Sequence, residues 1–267
     1  MSTVVDPSTL VDADRYPLGD DAAMTPVVQA ARHGLANDGV AILEGFLRPD
    51  AVEVICAECA ELDAVAHFAE TMGTPYLGLP DMSSPVGHPC RAEVRSALSA
   101  VAYDLIGGNS PLRALYEWAP MLDLVSTVLE RVPLYRYADP LGALNIASMS
   151  HGDELGWHFD MTDFVVSIAL QSAESGGDFE SATRIRSVDD ERHDAVAAVL
   201  AGSTDGVRTL PMRPGTLMLF EGRNSMHRVT PIVGARRRYV ALLAYDTKPD
   251  TDSSELLKLV RYGRLPV

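Results

Sequence analysis

Two histidines and one aspartate constrain the fold of this chain more than any other feature of its sequence. His158 and Asp160 are separated by one residue, and His227 follows much later. Side chains two residues apart point to the same face of an extended strand, so His158 and Asp160 can share one face. If a distant strand brings His227 beside them, the three side chains can bind one face of a metal ion. The fold must then place two remote strands next to each other.

The sequence pattern of the second half of the chain predicts mainly β-strands. Short β-like runs joined by Gly and Pro turns predict about eight strands, at 134–137, 143–150, 157–160, 164–171, 178–181, 207–211, 216–221 and 238–245. One helical interruption is predicted at 187–200, with an acidic opening that suits a helix N-terminus. Strands gathered in one half and helices in the other predict a mainly β fold with flanking helices, in which two antiparallel sheets form a jelly roll.

The first half reads mainly as helices that brace this sheet. Apolar periodicity and turn signals predict helices at 26–37, 49–72, 91–106 and 110–130, and a short buried strand at 40–43. The segment 73–89 is rich in Gly, Pro and Met and contains His88; it is either a lid or a plain connection. We expect a single domain over 1–267, with an extended arm (1–25), a helical support (26–133), the jelly-roll core (134–249) and a C-terminal segment (250–267).

Composition limits the partners. A net charge of −15 and a pI near 4.8 argue against nucleic acid and anionic membranes, whose phosphates attract basic surfaces. No run at the start resembles a signal peptide, and no stretch approaches the roughly 20 apolar residues of a membrane span. Three cysteines favour a reducing cytoplasm, and the pair Cys56 and Cys59 reads as ordinary helix cysteines. We therefore expect a cytoplasmic monomer or homodimer whose partner is a small molecule.

The context of the three residues points to iron chemistry. Two imidazoles and one carboxylate form the facial triad of non-haem Fe(II) oxygenases. The sequence resembles the Fe(II)/2-oxoglutarate-dependent oxygenases, in the branch that hydroxylates or halogenates free amino acids. The likeness runs from about 39 to 249 and is densest in three segments, which are Trp157-His158-Phe159-Asp160, Gly176-Gly177-Asp178-Phe179-Glu180 and His227-Arg228-Val229-Thr230-Pro231. It implies the double-stranded β-helix version of the jelly roll, with His158, Asp160 and His227 as iron ligands, and with Fe(II), 2-oxoglutarate and O2 as cofactors.

Three arginines open the last predicted strand, and one of them is expected to bind 2-oxoglutarate. An arginine can hold the distal carboxylate of the cosubstrate through two parallel hydrogen bonds. Only one face of the strand points inward, so Arg236 and Arg238 compete with Arg237. An inward Arg238 places Val240 on the same apolar face; we therefore choose Arg238, with Arg236 second.

Polar groups on the strand before the triad are candidates for the other end of the cosubstrate. In related enzymes this strand carries polar groups against the C1 end of 2-oxoglutarate. Asn145 and Ser148 are separated by three residues and cannot share a face, and Asn145 is preferred.

Candidate substrate contacts are Arg95 and His151. Arg91 and Arg95 would share a face of the predicted helix, which faces either the cleft or the solvent, and the resemblance favours Arg95 as a partner for a substrate carboxylate. His151 follows a predicted strand and is expected at the mouth of the site. Lysine-specific relatives carry polar side chains along the last strand, where Leu242 and Ala244 offer none, which argues against lysine as the substrate.

The reaction implied by the resemblance is hydroxylation of an unactivated C–H bond, with release of succinate and CO2. Halogenating relatives carry Gly or Ala at the carboxylate position to make room for a halide, and here that position is Asp160. Desaturation or cyclisation would use the same cofactors and remain alternatives. A non-catalytic, cupin-like metal- or ligand-binding protein is the alternative from outside the enzymes.

Overall fold

Antiparallel strands dominate the structure, a computed structural model that describes residues 5–266. The strands are β1 (Val40–Leu43), β2 (His67–Gly73), β3 (Val94–Val101), β4 (Tyr135–Arg136), β5 (Leu144–Met149), β6 (Glu154–His158), β7 (Val165–Gln171), β8 (Ser175–Gly176), β9 (Phe179–Ala182), β10 (Val207–Leu210), β11 (Leu217–Phe220), β12 (Met226–Val229), β13 (Ile232–Val233), β14 (Arg238–Leu243) and β15 (Tyr245–Asp246). The helices are α1 (Asp21–Asp38), α2 (Pro49–Leu62), α3 (Pro111–Glu117), α4 (Ala119–Leu129), α5 (His193–Leu200) and α6 (Glu255–Tyr262).

Eleven of these strands form one curled sheet. Its order is β1-β11-β7-β14-β5-β3-β6-β12-β9-β10, with β2 paired to β3 at the side. The two ends of this path face each other across an apolar interior, to which Ala147, Met218, Phe179 and Val229 contribute from both sides. The opposite face of the β1 to β5 side packs against the helices. The predicted fold class, a mainly β jelly roll with helices outside, is confirmed.

The long helix and the next helix predicted for the first half were wrong in part. Helix α2 ends at Leu62, and the residues predicted as its last turns form β2. The segment predicted as a helix at 91–106 is largely β3, to which β2 pairs antiparallel over its whole length. Local periodicity cannot register this pairing, because the stabilising partner of each strand lies outside any local window. The pair of helices predicted at 110–130 is present as α3 and α4.

Two other helix starts also differ from the prediction. Helix α1 begins at Asp21 rather than at residue 26, because the side chain of Asp20 accepts a hydrogen bond from the backbone N–H of Ala23 and caps the helix earlier. Helix α5 begins at His193 rather than at residue 187. The acidic residues before it form a turn that ends at Arg192, whose backbone is left-handed.

The predicted N-terminal arm packs on the body where it can be described. Leu10 and Val11 are buried, and Val11 forms an isolated bridge with Leu47. Met1 to Val4, and Val267 at the other end, lie outside the described residues. The division of the chain into arm, support, core and C-terminal segment stays a prediction. No helix in the described part of the chain is both long and apolar enough to cross a membrane.

A buried lysine anchors helix α6. The side chain of Lys258 is 5% exposed, pairs with Asp252, and lies 3.7 Å from Oδ1 of the fully buried Asp139. Burial raises the pKa of the Asp139 carboxyl, but hydrogen bonds from Ser253 and two backbone N–H groups, with the Lys258 charge, outweigh burial and lower the pKa below its usual value.

We expect Lys258→Met to lower the melting temperature at neutral pH, because it leaves a buried carboxylate without its cation. A lowered folded-state pKa means that Asp139 stabilises the fold fully above its unfolded pKa of about 4, and that this contribution disappears as the pH falls through the folded value. The deficit of the variant should therefore shrink on acidification. Thermal unfolding between about pH 7 and pH 3 measures it, with Lys248→Met, an exposed lysine, as control. A deficit that does not change with pH would contradict the assignment.

Candidate metal centre

The three predicted metal ligands meet at one end of the curled sheet. His158 is the last residue of β6, and the antiparallel pairing of β6 with β12 places His227 directly opposite it. Asp160 follows two residues after His158 and folds back beneath both rings. One ligand atom from each side chain lies within 4.8 Å of the others. The distances are 3.4 Å from His227 Nε2 to Asp160 Oδ2 and 3.9 Å from His158 Nε2 to Asp160 Oδ1.

Backbone carbonyls set the orientation of both rings. His158 Nδ1 lies 2.7 Å from the carbonyl of Gly156, and His227 Nδ1 lies 2.9 Å from the carbonyl of Ser225. A carbonyl can only accept, so these hydrogen bonds assign the ring proton to Nδ1 and leave a lone pair on each Nε2. Both lone pairs therefore point toward Asp160.

Burial favours the neutral form of the His158 imidazole. Burial, followed by the neighbouring charge of His227, lowers the pKa of His158 to about 4, although Asp160 opposes the shift. Neutral imidazole is the form that binds metals. The Nε2 lone pair of His158 is thus available to a metal ion that His227 and Asp160 also reach.

Asp160 confirms that these residues fit a cation. Its Oδ2 is buried and has no hydrogen-bond partner among the described residues. An orphaned carboxylate oxygen in a protein interior is costly unless a cation binds it. Gly222 makes the position possible, because a Cβ there would lie 1.8 Å from Oδ2, and the carbonyl of Gly222 accepts the backbone N–H of Asp160 at 3.1 Å.

Arg238 lies on the inner face of β14, as the alternation of that strand predicts. It is 6% exposed, and burial lowers the pKa of its guanidinium to about 10 although Asp178 opposes this. Among the residues described, its guanidinium contacts Met149 Sδ at 3.8 Å and forms no ion pair. Gly177 packs so closely on it that a Cβ there would lie 2.9 Å from Arg238 Cδ. A buried cation without a carboxylate partner is suited to bind an anion.

The neighbouring arginines are occupied elsewhere. Arg236 is exposed, and its guanidinium donates to the carbonyl of Ala173 at 2.9 Å. Arg237 faces the opposite side of the strand, where it donates to Ser148 Oγ and pairs with Asp63. Of the two predicted candidates, Arg238 is therefore the one whose guanidinium is buried on the inner face, whereas that of Arg236 is exposed.

A cleft of about 360 Å³ opens beside Asp160, where Met161 and Thr162 form part of its wall. Asn145 lines it from β5, whereas Ser148 turns to the other face and donates to Asp63. The remaining wall is mainly apolar and includes the last two inward positions of the predicted strand lining, Leu242 and Ala244.

Arg261 is a residue of this cleft that the sequence analysis missed. It projects from α6, and its guanidinium lies 3.4 Å from Asn145 Oδ1. Its charge is close enough to contribute to the lowered pKa of His158. The available signal was a short helix, far from the triad in sequence, whose Lys258 and Arg261 lie among leucines; only the docking of α6 reveals its role.

The two predicted substrate residues lie away from the triad. Arg95 is on β3, and its guanidinium is shared among Glu70, Glu154 and the carbonyl of Gly152. Two glutamates already pair with its charge, and it lies on a strand rather than on the predicted helix. His151 precedes β6, is exposed, and accepts the backbone N–H of Gly234 at 3.3 Å. The length of β6 separates it from His158, and its predicted contact with substrate stays a prediction.

Cys56 and Cys59 lie on helix α2, as the sequence predicted. Cys56 donates a hydrogen bond to the carbonyl of Leu170 at 3.2 Å, and Cys59 is buried. Burial raises the pKa of both thiols. His193, the first residue of α5, is partly buried beside Cys90.

Comparison with known proteins places the chain among related folds. The family model described as Halogenase D matches residues 88–258. No functionally curated protein matches the sequence significantly.

Solved structures share the fold at low sequence identity. A 2OG-Fe(II) oxygenase family oxidoreductase from Burkholderia pseudomallei is 14% identical, with a TM-score of 0.51 over 83% of this chain and 91% of the other. AviO1 from Streptomyces viridochromogenes Tue57 is 18% identical, with a TM-score of 0.55 over 83% and 95%. The epimerase SnoN, in complex with Fe3+, alpha ketoglutarate and nogalamycin RO, is 13% identical, with a TM-score of 0.57 over 82% and 83%. The resemblance drawn from the sequence is confirmed.

Proposed function

The chain belongs to the Halogenase D family, and from this membership and the geometry of the site we propose that it is an Fe(II)- and 2-oxoglutarate-dependent oxygenase that hydroxylates a small molecule. The observation that supports this most is the convergence of two imidazole lone pairs on the carboxylate of Asp160, whose Oδ2 is buried and has no hydrogen-bond partner among the described residues. That arrangement is unfavourable without a cation and suits a metal that needs open positions for its reactants.

In this proposal His158, Asp160 and His227 hold the iron through Nε2, a carboxylate oxygen and Nε2. When bound, iron with 2-oxoglutarate and O2 supplies an oxidant for an unactivated C–H bond, with release of succinate and CO2. Arg238 pairs with the distal carboxylate of 2-oxoglutarate, which supplies the anion that its buried guanidinium lacks. Asn145 offers an amide at the other end of the cosubstrate.

The cleft walls position the substrate and keep water from the reacting atoms. Phe164, Val165 and Leu242 supply apolar surface in the cleft. Such a lining strengthens each polar contact within the site and limits side reactions with solvent.

We propose a free amino acid, or a metabolite derived from one, as the substrate. Arg261 is the cation at the cleft that can bind its carboxylate, in place of Arg95. The apolar positions Leu242 and Ala244 favour a side chain without a terminal charge, which argues against lysine. A cytoplasmic location, a small-molecule partner and a monomeric or dimeric state stay predictions.

Succinate formation from 2-oxoglutarate, measured with a panel of amino acids and derived metabolites, tests the function. We expect Fe(II)-dependent succinate only with the true substrate, and none with the matching amine that lacks the carboxylate bound by Arg261. Desaturation or cyclisation would give succinate as well, and the product mass separates these outcomes. No succinate with any compound, despite bound iron, would favour the non-catalytic, cupin-like alternative.

We expect the wild-type protein, given its substrate with excess chloride or bromide, to yield only oxygenated or desaturated product. The carboxylate of Asp160 occupies the position that a halide would need, and it already supplies the negative charge that a halide would bring. Mass spectrometry of the product measures the outcome. Halogenated product at comparable yield would refute the assignment of Asp160 as a ligand, despite the name of the family.

Asp160→Gly is the sharper variant in the same experiment. It should lose hydroxylation, because the carboxylate no longer helps to hold the iron. Gain of halogenation is not required, since transfer to a halide also depends on where the substrate carbon lies. Asp163→Gly, which changes an exposed aspartate three residues away, is the matched control and should hydroxylate normally.

A further inference from the structure

A second cluster of metal-binding side chains lies apart from the iron site. His88 and Cys90 come from the segment before β3, and His193 is the first residue of α5. One ligand atom from each lies within 4.8 Å of the others, and Cys90 Sγ is 4.0 Å from His193 Nε2. The two imidazole rings meet edge to face at 4.4 Å. All three side chains are partly buried, although they come from segments about a hundred residues apart in the chain.

The hydrogen bonds at the ligand atoms are long. His88 Nδ1 accepts the backbone N–H of Cys90 at 3.2 Å, so the ring proton lies on Nε2, and a metal ion bound at Nδ1 would take the place of this hydrogen bond. His193 has Cys90 as its one hydrogen-bond partner within the described residues. A metal ion would replace two long, weak contacts rather than a strong network.

A nearby tyrosine points independently to a missing ligand. The hydroxyl of Tyr76 is buried and has no hydrogen-bond partner in the described part of the chain. Its ring stands edge-on to His193 at 6.1 Å. A water molecule on a metal would give the hydroxyl its partner.

The surroundings favour a cation. Asp81 and Glu191 lie close enough for their charges to act on Cys90. Neither carboxylate is free to be a strong ligand, because Asp81 accepts from Ser83 and Ser84, and Glu191 pairs with Arg186. They contribute negative potential, and the three ligand side chains supply the coordination.

We propose that His88, Cys90 and His193 bind a Zn²⁺ ion, with water as the fourth ligand. Thiolate and imidazole are the ligands that Zn²⁺ prefers, and in a tetrahedral site they lie about 3.3 to 3.6 Å from one another. In the structure Cys90 Sγ lies 4.0 Å from His193 Nε2, and the ligand atoms of all three residues lie within 4.8 Å of one another. Small side-chain rotations would bring them to the distances of a zinc site.

The ion would fasten the loop after β2 to helix α5. This loop reaches the wall of the iron site, where the carbonyl of Pro75 accepts the backbone N–H of Phe159 at 2.8 Å. Tyr76 stacks on Phe159 at 5.4 Å, and Phe159 lies between two of the proposed iron ligands in sequence. The second site therefore has a structural role, holding in place the loop that the sequence left as either a lid or a connection.

Cobalt substitution tests the site independently of the enzyme's activity. Co²⁺ bound to a thiolate gives an intense charge-transfer band in the near ultraviolet, which the sulfur-free triad cannot produce. We expect the band in the full-length wild type and in His227→Ala, where the iron site is disabled. It should be absent in Cys90→Ser and strongly reduced in His193→Ala. Cys56→Ser, which changes another partly buried thiol, is the matched control and should keep the band.

Metal analysis provides the second measurement. In the His227→Ala background, about one equivalent of zinc should survive dialysis, and it should be lost when Cys90→Ser or His193→Ala is added. Circular dichroism shows whether each variant is folded. If Cys90→Ser does not fold, His193→Ala is the variant that tests the site. Absence of the thiolate band from wild type, its survival in Cys90→Ser, or its loss in Cys56→Ser alone would each overturn the proposal. Failure of the oxygenase assay would leave these results unchanged.

Discussion

His227→Ala should abolish both iron retention and turnover. The side chain is 5% exposed and supplies one of the two imidazole lone pairs that face Asp160, so its removal leaves two ligands for an ion that needs three. His158→Ala should behave in the same way. Iron content after gel filtration and substrate-dependent succinate formation measure the two effects.

Gly222→Ala extends this prediction to a residue that is not a ligand. The added methyl group would lie 1.8 Å from Asp160 Oδ2, so the carboxylate must move, and iron should be lost although every ligand is present. His33→Ala, an exposed histidine on α1, is the control and should retain iron. Near-normal turnover in either histidine variant of the triad would refute the metal assignment.

Arg238→Gln should raise the 2-oxoglutarate requirement with little change in iron binding. The guanidinium is buried and has no ion-pair partner among residues 5–266, and its removal would leave the cosubstrate carboxylate desolvated without a cation. Truncating one partner of such a pair costs about 2 to 5 kcal/mol, which corresponds to a KM increase of roughly 30-fold or more. Steady-state kinetics with varied 2-oxoglutarate, together with iron content, separate the two effects.

Arg236→Gln is the matched control, because it changes an arginine two residues away, just before the start of β14. Its guanidinium is exposed and bonded to the carbonyl of Ala173, so its loss should leave the KM for 2-oxoglutarate nearly unchanged. The opposite result, with Arg236→Gln impaired and Arg238→Gln normal, would transfer the role to Arg236.

The sequence determined three strands of the core closely, because their signal is local. Alternating and apolar runs bounded by Gly and Pro mark β5, β7 and β11 to within one or two residues. The sequence also determined the inward face of β14, since the period of two that makes Val240 line the interior carries Arg238 with it. The spacing of His158 and Asp160 belongs to the same class of local information.

Pairing between distant segments was not determined by local sequence. The segment that became β2 had the apolar spacing of a helix at its start, and β3 is a strand because β5 and β6 flank it on one side and β2 on the other. Arg95 changed with it, from a helix face to an outward position held by two glutamates. Strand propensity depends on such neighbours, which lie far away in sequence.

The tertiary structure alone decided which side chains share a site. The docking of α6 brings Arg261 to the cleft, the register of β6 on β12 sets His227 opposite His158, and the loop after β2 carries His88 and Cys90 to His193. Residue type and spacing identified the chemistry of the triad, because its first two members are neighbours in sequence. The other contacts depend on packing between elements that are 50 or more residues apart, and sequence periodicity contains no information about those distances.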